Sequence, residues 1–198
     1  MVDIYRIIKQ NLNRYIETLR TQIGKEEAIL KKDEKFDKRF LLNLCVFINT
    51  IDYMKETINK MTDVIVSLID EPYNQNLDFS DEEDFCARVC IETINAMMRL
   101  YESKLDVTLT SNMLKIAWDK LENVILFSPY INDFKALTNF FADAIKDNIS
   151  NVYVIRTLKC ISEITNNKFV DAIFKIKKIN DFSVQQLQIG FLIRFRRN

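Results

Sequence analysis

Apolar residues recur at intervals of three and four along most of this chain. Ile4, Ile7, Ile8, Leu12, Tyr15, Ile16, Leu19 and Ile23 form one such stripe. That spacing predicts a first helix from Asp3 to about Lys32. A dense charged stretch, Lys31 to Arg39, follows as a connection or solvated helix end. Leu41, Leu44, Cys45, Ile48, Ile51, Met54, Ile58, Met61, Ile65 and Leu68 then mark a second helix, Phe40 to about Ile69. Its first half, Leu41 to Ile51, is apolar nearly all round, which predicts a central helix buried on most sides. Pro72 ends it.

Ser80 and Glu83 stand in a capping-box spacing ahead of the apolar positions Phe85, Val89, Cys90, Ile94, Met97, Met98 and Tyr101. They predict a third helix from Ser80 to about Leu105. A fourth, shorter helix is expected from about Thr110 to Val124. Ser128 followed by Pro129 is an N-cap and first-turn pair for a fifth, reaching about Lys146. Residues Asp147 to Ser150 form a break, and a sixth helix covers Val152 to about Lys177. Ser183 with Gln186 repeats the capping-box spacing and opens a seventh, to about Phe195. Short links between neighbours favour antiparallel packing. The expected fold is all-α: an elongated antiparallel helical bundle of about seven helices, with residues 1–125 as one bundle and 126–198 as a second, continuous with it.

Composition supports this reading and narrows the chemistry. The 198 residues include two glycines and two prolines, each about 1% where averages are roughly 7% and 5%. Sheets need tight turns built on those residues. A phosphate-cradling glycine loop is excluded, since Gly24 and Gly190 stand alone. Histidine is absent. Ser-His and Cys-His nucleophile pairs, and the Glu-x-x-His ligands of di-metal bundles, are therefore ruled out. No D-D-x-x-D run is present for a prenyl-transfer bundle. Cys45, Cys86, Cys90 and Cys160 form no C-x-x-C pair and lie among apolar neighbours, as buried thiols in a reducing cytosol do. No metal or cofactor is expected, nor an enzyme.

Acidic and basic residues balance at 28 each, which gives no global reason to bind nucleic acid. Their placement is uneven. Asp70 to Asp84 carries seven acids and no base, while Lys175, Lys177, Lys178, Arg194, Arg196 and Arg197 gather near the C-terminus. These read as solvated segments or as complementary patches for neighbouring subunits. The N-terminus lacks a secretory signal pattern. The uncharged stretch Phe40 to Ile51, which no other in the chain exceeds, is too short to span a bilayer.

Three segments carry a resemblance. Leu44 to Met54 reads LCVFINTIDYM, Ser128 to Phe134 reads SPYINDF, and Ile179 to Ile189 reads INDFSVQQLQI. Together, in this order, they resemble the C-terminal region of tethering subunits of the CATCHR superfamily. With Glu102-Ser-Lys-Leu-Asp106 between them, they are most similar to the Rab-binding exocyst subunit. The C-terminal domains of the GARP tethering complex and the MUN domain of synaptic priming factors share parts of the pattern. Where the family often has an acid soon after Gln-Gln-Leu, this chain has Ile189, Gly190 and Phe191.

The resemblance implies an elongated rod of stacked bundles in a cytoplasmic protein, peripheral at a vesicle or plasma membrane. Its work would be recognition of sister tethering subunits and of a GTP-loaded Rab-type small GTPase. The resembled proteins are much longer, so this chain would be one segment, its first helix exposing a face for upstream bundles. An apolar face rimmed by polar groups would read the Rab switch regions. Phe140, Phe141, Tyr153 and Ile155, with Asn139 and Asn151 as rim, are the candidate. Phe140 and Phe141 are adjacent, and Val152 to Ile155 is apolar around the helix, so either one side of each cluster is exposed as a partner surface or a sixth helix packed between two others buries all of them. A Bcl-2-like regulator that binds an amphipathic helix is the alternative, although the Gly-Arg motif of such grooves is missing.

Overall fold

A computed structural model of the chain describes residues 2–30, 38–71, 74, 77–125 and 128–195. The described residues form six α-helices and no strand: α1 Val2–Leu30, α2 Lys38–Leu68, α3 Ser80–Thr108, α4 Pro129–Ile145, α5 Asn151–Phe174 and α6 Asp181–Phe195. The chain is an all-α bundle. Pro72, residues 31–37 of the charged stretch, and Arg196 and Arg197 lie outside the described residues.

Two compact units divide the chain, with boundaries different from a cut after residue 125. One unit takes Met1–Met97 with Ala144–Val154, the other Met98–Asp143 with Ile155–Asn198. In the first, the α2 side chains Leu41, Leu44, Ile48, Ile51 and Ile58 are fully buried, as are Cys86, Val89 and Ile94 of α3. Each such large side chain contributes about 1.5–3 kcal/mol through burial. The α1 stripe is only partly covered. Ile16 and Ile23 are buried, whereas Ile4, Ile7 and Tyr15 stay exposed. The start of α3 is locked to α1. Tyr5 donates its hydroxyl hydrogen to the Asp78 carbonyl and accepts from the Asp78 amide at 3.0 Å, with its ring edge-on to Phe79 at 5.1 Å.

The second unit centres on aromatic rings. Tyr130 meets Trp118, Phe134 and Phe169 at centroid distances of 6.0, 5.9 and 6.3 Å, within the range for favourable aromatic pairs. The Tyr101 hydroxyl sits 2.6 Å from Thr165 Oγ1 and 3.1 Å from Thr138 Oγ1. Lys168 on α5 is held between Glu102 at 2.8 Å and Asp106 at 2.9 Å, two acids one turn apart on α3.

The expected fourth helix is not α-helical. Instead, α3 runs on through a π turn, Leu109–Met113, closed by Leu114 N–H on the Leu109 carbonyl at 2.9 Å. The Trp118 indole then donates to the Met113 carbonyl at 3.0 Å. Ala117, at φ −79° and ψ 77°, makes an inverse γ-turn, and Leu121 is extended after a single 3-10 turn, Trp118–Lys120. Tertiary contacts override the local apolar spacing here. The buried Gln186 of α6 accepts from Ile125 N–H at 2.6 Å, donates to the Ile125 carbonyl at 2.7 Å and donates to Ser128 Oγ at 2.6 Å. Asn180 donates to the carbonyls of Asp119 and Leu121 at 3.3 and 2.8 Å.

The helix starts also refine the expected caps. The α3 cap acceptor is Asp78, whose carboxylate takes the Ser80 amide at 2.8 Å. That bond, first among its causes, holds Asp78 below the usual carboxylate range. The Ser183–Gln186 capping box gives way to Asn180, whose Oδ1 accepts the Ser183 amide at 2.9 Å. Ser128 does stand before Pro129 as expected, its carbonyl receiving the Ile131 and Asn132 amides.

Gly190 of α6 lies against α4. A Cβ there would sit 2.8 Å from Tyr130 Oη and 3.2 Å from Ile131 Cδ1. We expect Gly190→Ala to destabilise the protein by about 1–3 kcal/mol through overpacking. Tyr130→Phe, which removes the clashing oxygen, should recover part of that loss in a double-mutant cycle read by urea unfolding.

Candidate interaction surfaces

The six candidate contact residues have different surroundings. Asn139, Phe140, Phe141 and Ile155 fall in one compact unit, and Asn151 and Tyr153 in the other. Phe141 is fully buried, its ring edge-on to Tyr101 at 5.1 Å. It is a core residue and cannot contact a partner in this fold. Phe140 is half-buried against it at 6.1 Å. Asn139 and Asn151 are exposed, and Ile155 is 68% exposed. The adjacent phenylalanines therefore divide, Phe141 inward and Phe140 half-buried.

Tyr153 is half-buried, and its hydroxyl donates to Asp52 Oδ1 at 3.1 Å. Burial first, then Cys90 and Asp52, pushes its ionisation well above the usual tyrosine range. The side chain acts as a neutral strut between the start of α5 and α2. Asn49 of α2 supports the same corner, donating to the Asn148 carbonyl at 2.6 Å.

Periodicity alone missed a more extensive apolar surface. Val46, Tyr53, Val64 and Leu68 on α2 are 61, 71, 56 and 78% exposed. The helix expected to be buried on most sides is buried on one. At about 100° per residue these four positions share one face, opposite Leu44, Ile48, Ile51 and Ile58. The signal was the all-round hydrophobicity of α2, which exceeds what one buried face requires.

The acidic stretch is partly structural. Asp78 caps α3, and Glu82 is 3% exposed. Glu82 pairs with Lys9 at 3.2 Å and accepts from Asn13 at 2.8 Å. Burial works against the Lys9 charge, but its bonds to Tyr5 and Glu82 outweigh that and hold it above the usual lysine range. Lys175, Lys177 and Lys178 are exposed. Among the described residues, no group of three acids or cysteines is placed to hold a metal ion, and no helix is long and apolar enough to cross a membrane.

Comparison with known proteins gives one kind of match. No family model matches the chain, and no solved structure matches. Over 144 residues, 73% of the chain, it is 22% identical to vacuolar protein sorting-associated protein 53 A of Arabidopsis thaliana. The matched stretch spans 17% of that relative's length.

Cys45, Cys86 and Cys90 are buried, and Cys160 is half-buried. Burial pushes each of the three buried thiols up to about 11. A thiol raised in the fold stabilises it while the unfolded thiol stays protonated. That contribution is lost as pH rises from the ordinary value of about 8.5 through about 11. The urea midpoint should fall across that alkaline window. At neutral pH, iodoacetamide should label Cys160 ahead of the other three.

Proposed function

We propose that this chain is a helical-bundle portion of a CATCHR-like vesicle-tethering subunit, acting by protein recognition and without catalysis of its own. The single observation that carries the reading is the match to a vacuolar protein sorting-associated protein over most of the chain. The all-α architecture agrees with it. So does a contact between the resembling segments: Gln186 of the Gln-Gln-Leu segment bonds Ser128 of the Ser-Pro-Tyr segment at 2.6 Å. Gly190, a few residues further on, lies against Tyr130.

The partners are then the other subunits of a tethering complex. Exocyst membership, a role in exocytosis and binding of a GTP-loaded Rab are finer proposals within the same reading. The sorting-associated name of the relative favours the broader tethering class over the exocyst in particular. The Bcl-2-like alternative is not favoured, since no observation points to its helix-binding groove. The tethering role implies a cytoplasmic protein, peripheral at a vesicle or plasma membrane.

The test is affinity isolation of the endogenously tagged full-length protein, with co-purifying chains quantified by mass spectrometry. A stoichiometric set of tethering subunits is expected, and their absence would overturn the reading. A parallel pulldown with GTP-locked and GDP-locked Rabs tests the finer proposal. Retention of one GTP-locked Rab alone is expected, and equal or no retention across the panel removes the Rab partner.

A further inference from the structure

The turn between α5 and α6 combines exposed apolar side chains with exposed lysines. α5 ends at Phe174 and α6 begins at Asp181. Phe169 and Ala172 are buried in the core. At about 100° per residue Phe174 points away from both of them, and it is 84% exposed. Ile179 and Phe182 are exposed as well. One apolar side chain in water is ordinary, but three large ones between Phe174 and Phe182 are not scattered singly.

The charges among them have one sign. Lys175, Lys177 and Lys178 are exposed, and no acid stands between Asp171 and Asp181. Lys168, further back on α5, is taken up by Glu102 and Asp106, whereas among the described residues no ion pair holds the three lysines of the turn. Asp119 and Glu122 of the neighbouring connector are exposed too, so the positive field is local and the apolar side chains must share the binding. The backbone of the turn is held at both ends. The amides of Lys175 and Ile176 donate to the Ala172 and Ile173 carbonyls at 3.1 and 3.0 Å. Asn180 is bonded to the Asp119 and Leu121 carbonyls while capping α6. All of this lies within one compact unit.

This chemistry selects the occupant. The stretch Phe174–Phe182 is far shorter than the roughly 20–30 residues that a stable protein interface takes from each side. All three bases are lysine, a mobile point charge, and not the planar arginine fork that reads one carboxylate or phosphate in fixed geometry. Lysine stems lie along an apolar layer while their ammonium groups stay at its polar edge. Phenylalanine beside lysine is the combination with which interfacial segments enter the headgroup boundary of an anionic bilayer. Building on the tethering reading, we propose that Phe174, Ile179 and Phe182 insert shallowly into a bilayer rich in anionic phospholipid, with Lys175, Lys177 and Lys178 on its headgroups.

The test is flotation of the full chain with phosphatidylcholine vesicles, with and without about 30% phosphatidylserine. Binding is expected to the anionic vesicles alone, and it should fall as salt rises from about 0.05 M to about 0.5 M. Joint Lys177→Glu and Lys178→Glu substitution should lower the partition coefficient about tenfold or more. Joint Lys25→Glu and Lys159→Glu, the same charge change elsewhere on the surface, should lower it less than about threefold. Phe174→Ser should weaken binding. Phe174→Trp should give a blue-shifted emission with anionic vesicles, quenched by brominated lipid, against the unaltered chain whose Trp118 is buried. All five sites are exposed, so circular dichroism should be unchanged. No binding, equal binding to both vesicle types, an equal loss in the Lys25 and Lys159 control, or an unshifted Trp emission overturns the proposal. So does tighter binding to a uridine oligomer than to vesicles, because the occupant would then be nucleic acid. No tethering subunit enters the assay, so its failure leaves the tethering reading standing.

Discussion

Every helix end in this chain leaves backbone groups that need partners, and only two glycines and two prolines are available to shape the turns. Long polar side chains fill that need. Gln186 pairs with both the N–H and the carbonyl of Ile125, as a neighbouring strand would. Asn180 takes two carbonyls of the same connector while capping its own helix, and Ser183 donates to the carbonyl of Trp118. Asn180, which caps α6, and Ser183 and Gln186 within it are spaced three apart, so one side of that helix start stabilises the non-helical connector leading to α4. Asn148 and Asn49 do similar work at the turn after α4. Each bond adds only about 0.5–1.5 kcal/mol net, yet losing one leaves a buried group whose desolvation costs about 1–3 kcal/mol.

The same dependence explains where local reasoning succeeded and where it stopped. Helix stripes were legible because burial selects a three–four spacing whatever the partner is. The Ser128–Pro129 start was legible because an N-cap and a proline act within one turn. The segment Thr110–Val124 had helical spacing but not a helical fate. Its backbone is engaged by Trp118, Asn180 and Ser183, two of them roughly sixty residues away in sequence. The Ser183–Gln186 pair satisfied a capping pattern, yet both side chains serve the connector and Asn180 does the capping. Spacing within a helix carries no information about which distant carbonyl a side chain will meet.

The candidate contact residues illustrate a different limit. Adjacent phenylalanines must diverge on a helix, but the sequence does not say which turns inward. Packing against Tyr101 decides it for Phe141. Likewise, the apolar circumference of α2 indicated burial but not how many sides the chain itself could cover. Leu44, Ile48, Ile51 and Ile58 fill one side, and the Val46–Leu68 side is left to water.

These two features bear on each other. On α6, polar side chains face inward because backbone groups there require them. On α2, Val46, Tyr53, Val64 and Leu68 face outward and stay largely exposed among the described residues. Stability explains the first, since removing an inward amide strands its partners. It does not explain the second, because exposed valine, tyrosine and leucine gain little from the folded chain itself. Thr50, Thr57 and Lys60 interrupt that side, so its exposed apolar residues stand apart and do not make one continuous patch.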